Sequence, residues 1–176
     1  MDRTRKWETP AQSKLRVAIA TADSSVQSSL SKILCGFSIE SVWLKSTDDV
    51  RQAFAGNSID CFVCGFWLEN GTYREAVKHI KKQVFKVPFL MISTPGATNE
   101  YRDYLASLNV GAFDFICYPY QETEVKRILQ SAFAERQRWL SRDSAIETKI
   151  EKKLVSHLAW GASGPPAQKS PNPRAA

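Results

Sequence analysis

Ile59-Asp60-Cys61-Phe62-Val63-Cys64-Gly65 is an apolar run that is entered through an acid and left through a glycine. Positions 61 to 64 are all apolar, so the run has no face suited to water. Such a run is typical of a central strand in a parallel sheet that is covered by helices on both faces. In such sheets chemistry takes place at the carboxyl ends of the strands. The residue at that place is Gly65, which has no side chain.

Outward from this run, strand-like and helix-like segments alternate along the chain. The predicted strands cover 15–20, 38–44, 59–65, 87–93 and 113–117, and a helical pattern follows each of them. This alternation predicts an α/β fold with a flavodoxin-like, doubly wound, five-stranded parallel sheet in the order 2-1-3-4-5 and helices on both faces. Asp23 or Ser24 can cap the first helix. Asn70-Gly71 marks a turn after the third strand.

The helical pattern continues past the last predicted strand as a C-terminal helical extension. Ser144-Ala145-Ile146-Glu147 matches a capping box, so the extension is either one long helix or two helices with a break near 141–144. We expect a flexible leader over 1–13, the sheet domain over 14–135, the extension over 136–160 and a disordered tail over 161–176.

Composition narrows the class of protein. No apolar run is long enough to cross a membrane and the first residues lack a signal-peptide pattern, so a cytoplasmic location is expected. Cys61 and Cys64 are three residues apart on a strand, so their thiols face opposite ways and a metal or redox site is not expected. The net charge is +6, but residues 15–120 contain ten basic and ten acidic side chains. The excess lies in the tails and the C-terminal helices, which argues against a nucleic-acid partner.

The segment from Gly111 to Tyr120 reads Gly-Ala-Phe-Asp-Phe-Ile-Cys-Tyr-Pro-Tyr. It is similar to the Gly-Ala-x-Asp-Tyr-x-x-Lys-Pro-Phe signature of bacterial two-component response-regulator receiver domains. Asp23 after the first strand, Ile59-Asp60 before the third and Ser93-Thr94 after the fourth extend the resemblance, which covers 15 to about 134. The resemblance implies a receiver fold and a role in signal transduction.

Receivers accept a phosphoryl group on an aspartate, and the resemblance implies a position for each group involved. Two acids after the first strand hold Mg²⁺, a carboxylate after the third strand is the nucleophile, and a hydroxyl and a lysine bind phosphoryl oxygens. Here only the hydroxyl is kept. The degenerate phosphorylation pocket consists of Thr21 and Ala22 at the acid positions, neighbouring Asp23, Gly65 at the nucleophile position, Ser93 at the hydroxyl position and Tyr118 at the lysine position.

Other acids compensate poorly for these losses. Asp60 and Asp114 lie at the opening ends of their strands, too far from the pocket. Asp23 and Glu69 could at most hold a cation weakly. We expect Trp67 and Tyr118 to fill the space and close the pocket. The resemblance with these departures indicates a pseudo-receiver: a signalling domain, not an enzyme, with no cofactor and no metal, that acts by phosphorylation-independent protein–protein interaction in a two-component-type pathway.

Two surfaces are candidates for binding a signalling protein. The predicted interaction face comprises Tyr101, Tyr104, Phe115 and Tyr120, together with Trp139, Leu140, Ile146, Ile150 and Leu154 of the extension. The extension can form a homodimer, dock a partner or fold back on its own domain. The alternative function is a nucleic-acid-binding transcriptional regulator that uses the basic C-terminal helices, although acids interleave there and no base-reading pattern is present.

Overall fold

The computed structural model describes residues 14–56, 58–83, 87–96 and 100–161, without the side chains of 81–83, 100, 101 and 153–161. The predicted leader over 1–13 and nearly all of the predicted tail lie outside the described residues. The chain divides into two units, Met1–Arg138 and Trp139–Ala176, which we describe separately. Within the described ranges, no helix is both long and apolar enough to span a bilayer.

Strands and helices alternate along the first unit, and a short hairpin interrupts the alternation. In chain order the elements are β1 (Leu15–Ala20), α1 (Ser24–Leu34), β2 (Ile39–Leu44), α2 (Thr47–Gly56), β3 (Cys61–Cys64), β4 (Trp67–Leu68), β5 (Gly71–Thr72), α3 (Tyr73–Gln83), β6 (Phe89–Ile92), α4 (Glu100–Asn109), β7 (Asp114–Ile116) and α5 (Glu122–Gly161). The main sheet has the order β2-β1-β3-β6-β7, and all its neighbouring strands are parallel. The predicted flavodoxin-like sheet and its strand order are therefore confirmed.

Each central strand contributes side chains to two apolar layers, because successive residues point to opposite faces. Phe62 and Cys64 belong to the layer that packs against α2 and α3. Cys61 and Val63 belong to the layer that packs against α1 and α5. Both thiols are fully buried. The prediction that the two thiols face opposite ways is confirmed, and burial raises the pKa of both.

The antiparallel hairpin formed by β4 and β5 was not predicted beyond its turn. Its two strands pair Trp67 with Thr72 and Leu68 with Gly71. Asn70, in the turn, accepts hydrogen bonds at Oδ1 from the Thr47 backbone N–H (2.7 Å) and hydroxyl (2.9 Å). The turn therefore satisfies donors at the start of α2, where helical N–H groups lack partners. The Asn-Gly dipeptide predicted the turn, but Thr47, which donates to Asn70, is 23 residues away in the sequence.

Asp60 lies at the amino edge of the sheet, as expected. Its carboxylate accepts a hydrogen bond from the Arg16 backbone N–H (2.8 Å) and forms an ion pair with the Arg136 guanidinium (2.9 Å). The side chains of Asp60 and Arg136 are 21% and 13% exposed, so the pair is largely shielded from water. Asp114 accepts from the N–H of the next residue, Phe115 (2.8 Å). Asp60 therefore joins α5 to the sheet and lies far from the predicted pocket.

A single helix, α5, runs from Glu122 to Gly161. Of the two alternatives, the long helix is the one present. The capping-box pattern at 144–147 does not start a helix, because Ser144 donates its hydroxyl hydrogen bond to the Ser141 carbonyl (3.0 Å) within the same helix. A serine inside a helix satisfies its hydroxyl in this way, so the pattern alone could not distinguish the two states.

Candidate functional site

The positions of the degenerate phosphorylation pocket lie along one edge of the sheet. β1, β3, β6 and β7 are parallel and end at this carboxyl edge. Thr21, Ala22 and Asp23 follow β1, Gly65 follows β3, Ser93 follows β6 and Tyr118 comes after β7. The fold therefore brings the six sequence-predicted positions to the place where parallel sheets bind ligands.

Neither position of the metal-binding pair carries a carboxylate. Thr21 is buried, its backbone N–H donates to the Leu44 carbonyl (2.9 Å), and its hydroxyl oxygen accepts from the Asp23 backbone N–H (3.1 Å). Ala22 is exposed and apolar. Mg²⁺ prefers carboxylate oxygens and water. The residues at these two positions therefore do not fit Mg²⁺.

Asp23 is the acid nearest in sequence to that pair, and it serves as the N-cap of α1. Its Oδ1 accepts hydrogen bonds from the Ser25 hydroxyl (2.7 Å), the Ser25 N–H (2.8 Å) and the Val26 N–H (3.4 Å). The Ser25 hydroxyl lowers the pKa of Asp23 most; partial burial opposes it, and the two backbone N–H groups add to the lowering. The predicted cap is confirmed, and one oxygen of this carboxylate is committed to the helix.

Asp23 and Glu69 are the two acids predicted to hold a cation weakly. Within the described ranges, no three His, Cys, Asp or Glu side chains gather in a metal-binding group. Glu69 is exposed, and its backbone N–H donates to the Lys45 carbonyl (2.9 Å). Weak cation binding by these two acids stays a prediction.

Gly65 is the residue that the sequence resemblance predicts at the phosphoryl-acceptor position. Its N–H donates to the Ala20 carbonyl (2.9 Å), which continues the β1–β3 pairing. A β carbon on Gly65 would lie 3.5 Å from the Thr21 hydroxyl oxygen and 3.7 Å from the Ala20 carbonyl oxygen, which are ordinary contacts. Its φ is not positive either. Neither crowding around a β carbon nor backbone conformation therefore requires glycine at this position.

Ser93 and the segment after β7 are joined by two hydrogen bonds. The Ser93 hydroxyl oxygen accepts from the Tyr118 backbone N–H (2.6 Å), and the Ser93 carbonyl accepts from the Tyr120 hydroxyl (2.5 Å). Ser93 is 1% exposed. Burial, the Asp23 charge and Tyr118 raise the pKa of Tyr120. The one family-compatible hydroxyl is therefore already used to hold the chain that leaves β7.

Trp67 does not fill the pocket, contrary to expectation, because 71% of its surface is exposed. It lies on the β4–β5 hairpin, where it pairs with Thr72. Tyr118 is 42% exposed and packs edge-on against Tyr120, with ring centroids 5.4 Å apart. The prediction that the two rings fill the pocket is therefore wrong for Trp67 and stays a prediction for Tyr118.

The predicted interaction face divides into buried and exposed members. Phe115 is only 4% exposed and packs against Phe66 and edge-on against Tyr104, at 6.2 and 6.0 Å between centroids. Tyr120 is half-buried, and the side chain of Tyr101 lies outside the described residues. Two leucines of α4 that lie outside the predicted interaction face, Leu105 and Leu108, are 42% and 40% exposed. We define the α4 patch as Tyr104, Leu105 and Leu108.

The second unit begins inside α5 and displays apolar side chains. Leu140, Ile146 and Ile150 are 40%, 56% and 53% exposed, and Trp139 is half-buried. The side chain of Leu154 lies outside the described residues. Ile146 and Ile150 are one turn apart, so they lie on the same side of the helix.

No family model and no curated protein sequence matches this chain. Solved structures do. The signal receiver domain of an HD domain-containing protein from Pseudomonas fluorescens is similar at 11% identity and a TM-score of 0.66, covering 77% of this chain and 98% of that one. The receiver domain of a sensor histidine kinase from Pseudomonas aeruginosa, with magnesium coordinated in its active-site cleft, is 17% identical over 69% and 99% of the two chains (TM-score 0.60).

A third similar structure is a putative response regulator from Chloroflexus aurantiacus. It is 20% identical, covers 69% of this chain and 99% of its own, and has a TM-score of 0.62. Similarity at these identities establishes the fold alone. The first unit therefore has the fold of response-regulator receiver domains.

Proposed function

We propose that this chain is a receiver-fold signalling domain that acts by docking a protein partner and is not phosphorylated on aspartate. The observation that carries the proposal is the missing side chain at Gly65. This residue follows the central strand at the acceptor position, it has no side chain, and the space around it would accept a β carbon. Thr21, Ala22 and Tyr118 replace the metal-holding acids and the lysine. Together these replacements remove the nucleophile, the metal ligands and a cationic phosphoryl contact.

The direct test is incubation with acetyl phosphate and Mg²⁺, read by intact mass. A phosphoryl group adds about 80 Da, and we expect no such adduct on the wild-type chain. The Gly65→Asp variant is the matched control for the acceptor. We expect it to fold, because the β carbon makes ordinary contacts, and to stay largely unmodified, because Thr21 and Ala22 supply no carboxylate for the metal. A stable adduct on the wild-type chain would refute the proposal.

The α4 patch supports docking by the first unit. Tyr104, Leu105 and Leu108 expose 36%, 42% and 40% of their surface, and Tyr104 also packs against buried Phe115. Apolar surface that stays in contact with water gains stability when a partner covers it. A receiver-like switch through Phe115 would need a second packing of this region.

The patch can be tested by pull-down from cells that contain the signalling proteins of a two-component-type pathway. We expect Leu105→Glu with Leu108→Glu to abolish capture of a specific partner. The control is Arg102→Glu with Asp103→Lys, which alters charge on the same helix and leaves the patch intact. Equal capture by all three chains would exclude the patch as the docking site.

We also propose that the second unit associates with a second copy of the chain through the side that carries Ile146 and Ile150. Both are more than half exposed on one side of a helix, which is the arrangement of residues in helix–helix interfaces. Light scattering tests this. Ile146→Glu should reduce the mass to that of a monomer, while Ala145→Glu adds the same charge at the neighbouring exposed position and should not. A monomeric wild-type chain would exclude the homodimer.

Protein docking is favoured over the nucleic-acid alternative by the charges at the end of the first unit. Arg136 pairs with Asp60, and Arg138 bridges Glu135 at 3.0 Å. Two of the basic side chains that would contact phosphates are therefore engaged within the chain. Salt-dependent binding of a DNA or RNA duplex would favour the alternative.

A further inference from the structure

An open apolar cavity lies at the amino edge of the sheet, at the opposite end from Gly65. Its volume is about 280 Å³, and it lies between the start of β1, the turn before β2, and α5. Its apolar walls are Leu15, Phe37, Ile39, Leu129 and Phe133. An engineered cavity of about 150 Å³ with walls of similar chemistry binds benzene. The cavity therefore has room for an aromatic ring system.

The walls keep apolar surface available to a ligand. Leu129 is buried, whereas Leu15, Phe37, Ile39 and Phe133 are only half-buried. Phe37, Ile39 and Phe133 pack on one side against the apolar layer shared by α1 and α5. Concave, mostly apolar sites with a few polar groups are typical of small-molecule binding.

Two charges of opposite sign lie at this cavity, four residues apart on α5. The Lys126 ammonium lies 5.9 Å from the Phe37 ring centroid, over the ring. The Glu122 carboxylate lies 3.9 Å from where a β carbon on Gly36 would be. Residues at this spacing often pair on a helix, yet within the described part of the chain no ion pair joins these two. Lys126 is instead directed to the aromatic wall.

We propose that this cavity binds a small aromatic carboxylate, with the ring against Phe37 and Phe133 and the carboxylate paired with Lys126. The site is independent of the docking function proposed above and lies wholly within the first unit. An anion is the favoured ligand charge because Lys126 lines the cavity itself, whereas Glu122 lies beside the lining residue Gly36 and does not line the cavity.

The test is a titration of the full chain with 2-naphthoate and with its neutral analogue 2-naphthalenemethanol, followed by amide NMR shifts. We expect saturable shifts for 36–39 and 126–133, and weaker binding of the neutral analogue. Lys126→Met keeps most of the stem and should weaken naphthoate binding about three- to fivefold, whereas Glu122→Gln should tighten it by up to about threefold. Lys149→Met in the second unit is the control and should change nothing.

A variant that fills the cavity tests the place of binding separately from the charge. Ser38→Leu should abolish the shifts while circular dichroism shows an unchanged fold. If that variant does not fold, the effects of Lys126→Met and Glu122→Gln on naphthoate binding still test the proposal. Absence of saturable binding, or shifts confined to other parts of the chain, would overturn the proposal. Equal binding of the alcohol, with no effect of Lys126→Met, would overturn the carboxylate assignment.

Discussion

Removing the Asp60 carboxylate should cost the first unit a large part of its stability. The carboxylate makes two interactions, one with the Arg136 guanidinium and one with the Arg16 backbone N–H. Asp60→Ala removes both and leaves Arg136, whose side chain is 13% exposed, without this counter-charge. Loss of one partner costs about 3–5 kcal/mol in a fully buried pair, and exposed pairs contribute about 0.2–1 kcal/mol.

Because this ion pair is partly exposed, its loss should cost an amount between the values for buried and exposed pairs, about 2 kcal/mol. The hydrogen bond that the Arg16 N–H donates to this charged acceptor adds about 1.5 kcal/mol. The expected loss for Asp60→Ala is therefore about 3.5 kcal/mol. Asp60→Asn keeps an acceptor oxygen, so about 1–2 kcal/mol is expected. These are large fractions of the 5–15 kcal/mol that is usual for a domain.

Urea unfolding followed by circular dichroism measures the loss. With a slope of about 1.5 kcal/mol per molar urea, the midpoint should fall by about 2 M for Asp60→Ala and about 1 M for Asp60→Asn. Glu40→Gln is the control, because it removes the more exposed pair of Glu40 with Arg16 (3.1 Å) and should change the midpoint little. Arg136→Met should cost less in the Asp60→Ala chain than in the wild type. A midpoint change under about 0.3 M for Asp60→Ala, or strict additivity of the two substitutions, would refute the assigned role of the pair.

Three further predictions concern side chains of the first unit. Asp23→Ala should destabilise the first unit by about 1 kcal/mol through loss of the α1 cap. The pKa of Asp23 is lower in the folded chain than in the unfolded chain, so the charge-dependent part of this stability is present above the unfolded pKa near 4. It should be lost as the pH falls through the folded pKa. The urea midpoints of wild type and variant should therefore converge at low pH. Cys35 is exposed and should react with a thiol reagent in the native chain. Cys61 and Cys64 are buried with raised pKa values, so they should react only after unfolding. Rapid labelling of Cys61 or Cys64 in the native chain would contradict the packing. Tyr120 has a raised pKa, so the stability linked to its neutral phenol should be present below the unfolded pKa near 10 and lost as the pH rises through the folded pKa. In an ultraviolet titration, one tyrosine of the wild-type chain should ionise late. This late ionisation should be absent in Tyr120→Phe.

The candidate site shows how far sequence patterns reach. The position of Gly65 after the central strand and of Ser93 after β6 followed from strand periodicity and from the parallel topology, and the structure places both at one edge. A hydroxyl bonded to backbone was expected for Ser93, but its partners were not, because Tyr118 and Tyr120 are 25 and 27 residues away. Trp67 was placed wrongly for a related reason: it lies on a hairpin whose turn residue Asn70 bonds to Thr47, 23 residues away at the start of α2.

Local periodicity determined the alternating elements and the opposite facing of Cys61 and Cys64, since each depends on which way neighbouring residues point along one strand or helix. The sheet order followed from the topology that alternating strands and helices adopt in a parallel sheet. Packing between distant segments decided which apolar side chains stay in water, as with Trp67, Leu105 and Leu108. It also decided whether a cavity opens beside Phe37. These outcomes depend on long-range contacts that a one-dimensional pattern does not contain, so only the tertiary structure could supply them.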